Sequence, residues 1–279
     1  MKNDISQLKG IIYESLLGTI RRESTRKDDK VLTIHASAVG KMCPRMIYYA
    51  RKNKKKVLNE KVKSYLDIGT AVTFSIGMAV EDFVVKSLGN ILSNKIWVRY
   101  SCPKCGYSDI MLYKKSGYKC PQCNNGMAER QISIEHQITD DVVITGNMDL
   151  ILYNKNLGDK FNVIELKTMK EEDFDVLKQP LVNHELQIQT YLWLIKNLPL
   201  GDKKKYSLNS KYGYIVYICK KHKKDPIKIF KVNLRKDFVN QLESDIEAIK
   251  SGELPDRVCL NENSLIARDC PFRDICFRR

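Results

Sequence analysis

Two short apolar runs near the middle of the chain carry polar residues that a strand does not need. Gly146-Asn147-Met148-Asp149 leads into Leu150-Ile151-Leu152-Tyr153, and Asn162-Val163-Ile164 leads into Glu165-Leu166-Lys167-Thr168. Side chains alternate faces along a strand, so Glu165 and Lys167 share one face while Ile164 and Leu166 share the other. Asp149 is placed within the preceding strand. Residues 130–139 alternate as a further strand, and Asp140-Asp141 turns into the apolar run 142–144. With Leu157-Gly158-Asp159-Lys160 as the next turn, this pattern predicts an antiparallel meander of three strands. Residues 212–218 and 227–232 read as two more strands joined by a basic turn.

Helical spacing recurs on either side. Ile5, Leu8, Ile12, Leu16 and Ile20 mark one face over 5–23, and the charged stretch 21–30 reads as a linker. Ser37 is the expected N-cap of a short helix that delivers Cys43. An apolar run at 46–49 and a basic loop at 51–56 come next. Residues 61–92 read as helical, with a break expected near Gly69 or Gly77. Glu81 lies in this stretch, one turn after Gly77; a lone glutamate in a helix usually occupies a solvated face. A helix over 183–198, with Asn183 as its expected N-cap, stacks Gln187 on Tyr191. A last helix over 235–250 sets Phe238, Leu242, Ile246 and Ile249 on one side.

Length and composition narrow the class. The 279 residues, 43% of them hydrophobic, suit one substantial α/β domain with insertions, or two small domains, and exclude global disorder. No apolar run reaches spanning length and the N-terminus lacks a signal-peptide pattern, so an intracellular, cytoplasmic protein is expected. Lys and Arg total 48 against 33 acidic residues, a formal charge of +15. That surplus points to a polyanion, nucleic acid ahead of membrane. The basic residues gather at Arg51, Lys52, Lys54, Lys55 and Lys56, at Lys203, Lys204 and Lys205, and at Lys220, Lys221, Lys223 and Lys224. Plain solubility also accounts for a lysine-rich surface.

Nine cysteines in an intracellular chain suggest metal rather than disulfides. Cys102-Pro103-Lys104-Cys105-Gly106 and Cys120-Pro121-Gln122-Cys123 are two tight knuckles whose four thiolates suit a closed tetrahedral zinc site. The stretch is too short for its own core, so metal supplies its folding energy, and it reads as an insertion over 100–128. Cys43 with Cys259, Cys270 and Cys276 can form a second group. Cys219, in an apolar strand, reads as a small core residue. The segment around the last three cysteines has few other core formers and needs a staple to stay ordered. The histidines His35, His136, His184 and His222 show no ligand spacing and read as structural or exposed.

Charges in apolar strands are unfavourable unless they are paired or bound to metal. Asp149 and Glu165 together offer hard oxygen ligands to a divalent cation, with Lys167 beside them to assist the chemistry. Taken alone, the E-x-K strand fits a structural carboxylate–lysine cluster at a sheet edge at least as well.

The order of motifs adds weight to the first reading. Gly77 to Glu81 (G-x-x-x-[HE]), Gly146 to Asp149 (G-x-x-D), Glu165 to Lys167 (E-x-K) and Gln187 to Tyr191 (Q-x-x-x-Y) together resemble the RecB-like branch of the PD-(D/E)XK nuclease superfamily. One cysteine before these motifs and three after them resembles the iron–sulfur members of that branch. Those include the CRISPR-associated RecB-like exonucleases and the helicase–nuclease AddB. The resemblance spans 34–279 and leaves 1–33 as an N-terminal helix and linker.

This resemblance implies an α/β fold: a central mixed sheet flanked by helices, with the knuckle pair inserted and the C-terminal tail stapled by an iron–sulfur cluster. It implies Mg2+ or Mn2+ held by Asp149, Glu165 and the Leu166 carbonyl, with Glu81 as a further candidate ligand. Lys167 would position water or stabilise charge on the phosphate, and Gln187 and Tyr191 would orient the site and the DNA backbone. Cys43, Cys259, Cys270 and Cys276 would hold a [4Fe–4S] cluster. Many relatives carry histidine where this chain has Glu81, and commonly space two of the last cysteines more closely than Cys259 and Cys270. The expected activity is a metal-dependent DNA nuclease, an exonuclease on single-stranded ends. The competing expectation is a nucleic-acid-binding module that uses the same fold inside a larger DNA-processing complex. A transcription-type zinc-ribbon protein does not explain the E-x-K strand.

Overall fold

A computed structural model describes residues 31–40, 43–52, 68–92, 95–153, 155–157, 160–198, 207–268 and 270–278. The helix expected over 5–23, the linker over 21–30, and the lysines at 54–56 and 203–205 lie outside these residues. In chain order the described elements are β1 (Leu32–His35), α1 (Ala36–Val39), α2 (Pro44–Lys52), α3 (Ile68–Leu92), β2 (Ile96–Ser101), β3 (Ser108–Leu112), β4 (Ala128–Arg130), β5 (Ile132–Thr139), β6 (Val142–Met148) and β7 (Leu150–Tyr153). After a 3-10 turn come β8 (Phe161–Met169), α4 (Glu171–Val176), α5 (Val182–Lys196), β9 (Tyr212–Cys219), β10 (Ile227–Asn233), α6 (Lys236–Ser251), α7 (Leu265–Arg268) and α8 (Arg273–Phe277).

The strands form two mixed sheets. The larger has seven strands in the order β10-β9-β8-β7-β2-β3, with β4 also paired to β2; the smaller has three in the order β1-β6-β5. β8 and β9 are parallel, as are β1 and β6, and the remaining pairs are antiparallel. β6 and β7 are separated only by Asp149, yet they belong to different sheets. The expected three-strand meander is therefore two hairpins, β5–β6 and β7–β8, joined by a change of sheet. Asp149 sits at that change rather than inside a strand. Apolar alternation runs straight through the break, so the sequence pattern does not mark it.

β8 lies at the centre of the larger sheet and is buried on both faces. Val163 packs in the main core with Ile188, Leu192 and Ile215, while Ile164 and Leu166 join a second core that Val84, Val85 and Leu88 of α3 cover. α5 is buried without interruption from Gln187 to Ile195. A helix enclosed on all sides keeps little amphipathic contrast. α3 is one continuous helix of 25 residues, unbroken at Gly77. A Cβ at Gly77 would meet Thr168 Oγ1 at 3.6 Å, an ordinary contact, so α3 passes beside β8 here without requiring a glycine.

Three local expectations shift. Ser37 and Asn183 lie inside α1 and α5; the N-caps are His35 and Leu181, neither with a side-chain cap hydrogen bond. Arg51 and Lys52 form the last turn of α2 rather than a loop. The C-terminal tail also carries its own apolar anchor: Phe272 is buried against Tyr49 and Ala50 of α2, with the Tyr49 and Phe272 rings 5.9 Å apart. Cys219 is buried in the main core, as its apolar strand implies.

Candidate active site

The change of sheet at Asp149 places its carboxylate beside β8. Asp149 Oδ2 accepts a hydrogen bond from the Leu166 backbone N–H at 2.8 Å. Glu165, only 2% exposed, points from the same stretch of β8 into the protein. Its Oε1 accepts from Lys167 Nζ at 2.6 Å and from Gln187 Nε2 at 2.7 Å. The alternation of β8 thus puts Glu165 and Lys167 on one face, as read from the sequence. Gln187 also donates to the Tyr191 hydroxyl at 2.6 Å, and Tyr191 donates in turn to the Asn147 carbonyl at 2.6 Å. This i, i+4 pair on α5 therefore fixes Glu165 on one side and the approach to Asp149 on the other.

Glu81 reaches the same place from α3. These residues line a polar cavity of about 290 Å3 together with His35, Ser37, Gln131 and Thr145. Gln131 was invisible in the sequence reading. Its Nε2 donates both to Glu81 Oε1 at 2.7 Å and to Asp149 Oδ1 at 3.0 Å. A glutamine one residue ahead of an alternating strand carries no signature of its own; only the chain path brings it here.

The electrostatics follow from this crowding. Burial pushes the Asp149 carboxyl well above the ordinary range, and the charges of Glu165 and Glu81 push it further, against the Leu166 N–H and Lys167. Burial also raises Glu165 and Glu81, although Lys167 favours the charged form of each. Glu165 Oε2 is buried with no hydrogen-bond partner. A buried carboxylate oxygen without a donor is unfavourable, and a cation is what such an oxygen lacks. Hard oxygen donors around a polar cavity, one of them orphaned, fit a divalent metal of the Mg2+ or Mn2+ type.

The other predicted groups fall in separate places. The sulfurs of Cys102, Cys105, Cys120 and Cys123 all lie within 4.8 Å of one another. The two knuckles repeat one geometry: Cys102 N–H donates to the Tyr107 carbonyl at 2.7 Å, and Cys120 N–H to the Asn125 carbonyl at 2.8 Å. Gly106 and Asn124, at matching positions, adopt left-handed φ values of 77° and 57°. Asparagine tolerates that region, so the second knuckle closes without the glycine of the first. The Cys105 backbone N–H is the main reason that the Cys102 thiol is held down at about 6.

Cys43, Cys259, Cys270 and Cys276 line a cavity of about 530 Å3 between α2 and the tail, with Arg45, Arg257 and Arg273 around it. Burial raises the Cys270 thiol, and Cys43, Cys276 and Cys259 add to that rise. Four thiols around one cavity are a donor set for a metal or a metal cluster.

Arg51 is committed inside the molecule. It pairs with Asp141 at 3.0 Å and donates to the Ile249 carbonyl at 2.8 Å, which ties α2 to the β5–β6 turn and to α6. Lys52, next to it, is exposed. In the turn between β9 and β10, Lys221 and Lys223 pair with Glu171 and Asp175 of α4. His184, read as structural, lies within the electrostatic reach of Lys167 and is hydrogen-bonded to Tyr217.

A family model for the PD-(D/E)XK nuclease superfamily matches residues 121–277, more than half of the chain and inclusive of Asp149, Glu165, Lys167, Gln187 and Tyr191. The chain belongs to this superfamily. Members of the PD-(D/E)XK superfamily are typically metal-dependent nucleases. The match leaves out Glu81, Cys43, the first knuckle and Cys120 of the second, which lie upstream of it. Among solved structures, that of SSO0001 is similar over 95% of this chain and 96% of its own, at 18% identity and a TM-score of 0.49. An alkaline exonuclease, LHK-Exo from Laribacter hongkongensis, is similar over 80% of this chain and 88% of its own, at 11% identity and a TM-score of 0.41. No curated protein matches the chain. Among the described residues no helix is long and apolar enough to cross a membrane.

Proposed function

We propose that this PD-(D/E)XK protein is a divalent-metal-dependent DNA nuclease of the RecB-like branch, an exonuclease that hydrolyses phosphodiester bonds at single-stranded ends. DNA recombination, repair, replication and CRISPR adaptation are the processes that such an activity serves. The observation that carries the reading is the orphaned oxygen of buried Glu165, set beside Asp149 with Lys167 on the same face.

Asp149, Glu165, Glu81 and the Leu166 carbonyl would hold Mg2+ or Mn2+. Such a metal activates water and neutralises charge on the phosphate. Lys167 orients the attacking water or stabilises the charge that develops on the phosphoryl oxygens. Gln187 holds Glu165 in place, and Tyr191 ties α5 to the strand that leads into Asp149. Lys52, Lys54, Lys55, Lys56, Lys203, Lys204 and Lys205 supply contacts to the DNA backbone; Arg51, whose donors are engaged, is left out of this set. The knuckle cysteines hold zinc, and Cys43, Cys259, Cys270 and Cys276 hold a [4Fe–4S] cluster within a nuclease domain over 34–279.

A binding module on the same fold is the second reading, but it gives no reason for an unpartnered buried carboxylate oxygen beside a lysine. The test is cleavage of end-labelled single- and double-stranded DNA with Mg2+, Mn2+ or EDTA, measured beside binding in the same buffer. Lys167→Ala removes a charge needed in the transition state but leaves the metal ligands. It should lower cleavage about a hundredfold or more. DNA affinity should barely change, because phosphate contacts are shared over many lysines. A wild type that binds DNA and never cuts with any divalent metal makes the protein a binding module. Equal cleavage by wild type and Lys167→Ala moves the active site elsewhere.

A further inference from the structure

Gln131 bridges two of the acidic groups in the site. An amide NH2 has two protons, and here both go to carboxylates that would otherwise repel each other: Glu81 Oε1 at 2.7 Å and Asp149 Oδ1 at 3.0 Å. These carboxylates come from distant parts of the chain, one from α3 and one from the junction of β6 and β7. Among the described residues no other hydrogen bond joins Glu81 to this cluster. We propose that Gln131 is a positioning residue for the metal site: it gathers Glu81 and Asp149 before the metal arrives and keeps holding them from the outside once it is bound. A carboxylate oxygen has lone pairs for both a donor and a cation, and outer hydrogen bonds of this kind orient the groups that ligate a metal.

The placement of Gln131 follows from the cysteine ribbon. Gln131 is the residue directly after β4, and β4 is aligned on β2 by the pairs Arg99↔Arg130, Tyr100↔Glu129 and Ser101↔Ala128. Cys102 follows β2 directly, and the second knuckle precedes β4, so the knuckles join the ends of the two strands that set the position of Gln131. Arg99 Nη2 then donates to the Ser133 carbonyl at 2.7 Å, fixing the chain on the far side of Gln131. The ribbon also meets the helix that carries Glu81: a Cβ on Gly89 of α3 would lie 2.6 Å from the Tyr113 ring. The helix that carries Glu81 and the strand that precedes Gln131 thus both meet the same insertion.

This inference rests on the proposed metal site, and the experiment separates the two. Mn2+ binding to the full-length protein is titrated by following free Mn2+ in electron paramagnetic resonance, with no DNA and no turnover. Glu165→Ala is the control for the site itself; unchanged Mn2+ binding in that variant would remove the metal site and the proposed function with it. Given that control, Gln131→Ala should weaken Mn2+ binding about ten- to a hundredfold, the range for loss of an outer hydrogen bond to metal ligands. Gln131 is exposed, so the variant should keep its metal-free melting temperature. A double-mutant cycle with Glu81→Ala then tests the route: the loss caused by Gln131→Ala should shrink in the Glu81→Ala background, because one of its two targets is gone. Unchanged or tighter Mn2+ binding in Gln131→Ala, or an equal loss in both backgrounds, overturns the proposal.

Discussion

Tyr217 and His184 show how one side chain's state is set by its neighbours. The Tyr217 hydroxyl receives the Leu181 N–H at 3.0 Å, so its own proton is available to His184 Nδ1, 2.9 Å away. His184 is neutral at pH 7. Burial and then the charge of Lys167 hold its pKa down at about 4, against an ordinary 6.5. Between these values the unfolded chain binds more protons than the folded one, so folding stability rises with pH there. The contribution of His184 is complete above about 6.5 and is lost as pH falls toward 4. Melting temperatures of wild type and His184→Phe between pH 7 and pH 4 should therefore converge, or cross, on acidification, with the steeper fall in wild type. Parallel curves would show that His184 titrates normally in the fold.

At the scale of elements, the site depends on how closely α5 lies on β6. A Cβ on Gly146 would lie 2.7 Å from the Tyr191 ring and 2.8 Å from Leu194 Cδ1. The glycine of the G-x-x-D motif is thus a packing requirement of the helix that carries Gln187 and Tyr191, and not only a local turn residue. Gly146→Ala should destabilise the protein by about 1–3 kcal/mol, as overpacking of a filled core does. It should also shift Tyr191 away from the Asn147 carbonyl. Chemical denaturation measures the first effect. Stability equal to wild type would mean that α5 moves away freely and does not position the site.

For the whole molecule, the two cysteine groups lie in separate parts of the fold. The knuckles stiffen the β2–β4 side near Gln131, while the wide cysteine cavity joins α2 to the tail. Metal analysis of Cys120→Ser should show about one zinc lost per chain. Protein purified without oxygen should be brown, with about four irons per chain, and Cys276→Ser should bleach it. Because Phe272 is buried against Tyr49, the tail should not come free altogether in that variant. Limited proteolysis should cut the tail faster in Cys276→Ser than in wild type, and faster again when Phe272→Ala is added. A colourless, iron-free wild type with a protease-resistant tail would refute the cluster.

The sequence by itself determined the chemistry that lies in short spacings. The E-x-K alternation of β8, the stacking of Gln187 on Tyr191 and the two C-P-x-C knuckles are each encoded within a few residues, where strand, helix or turn geometry dictates which side chains meet. The eight motif residues from Gly77 to Tyr191 also pointed to the superfamily. Tertiary structure decided what depends on the path of the chain. Nothing local marks Asp149 as the point where the strand changes sheet, since the apolar pattern continues through it. The bridge from Gln131 to Glu81 spans 50 positions, and the clamp from Arg51 to the Ile249 carbonyl spans 198. Periodicity reports which face a residue occupies, not which distant face it meets; those meetings were fixed by sheet order and by the packing of buried helices such as α5.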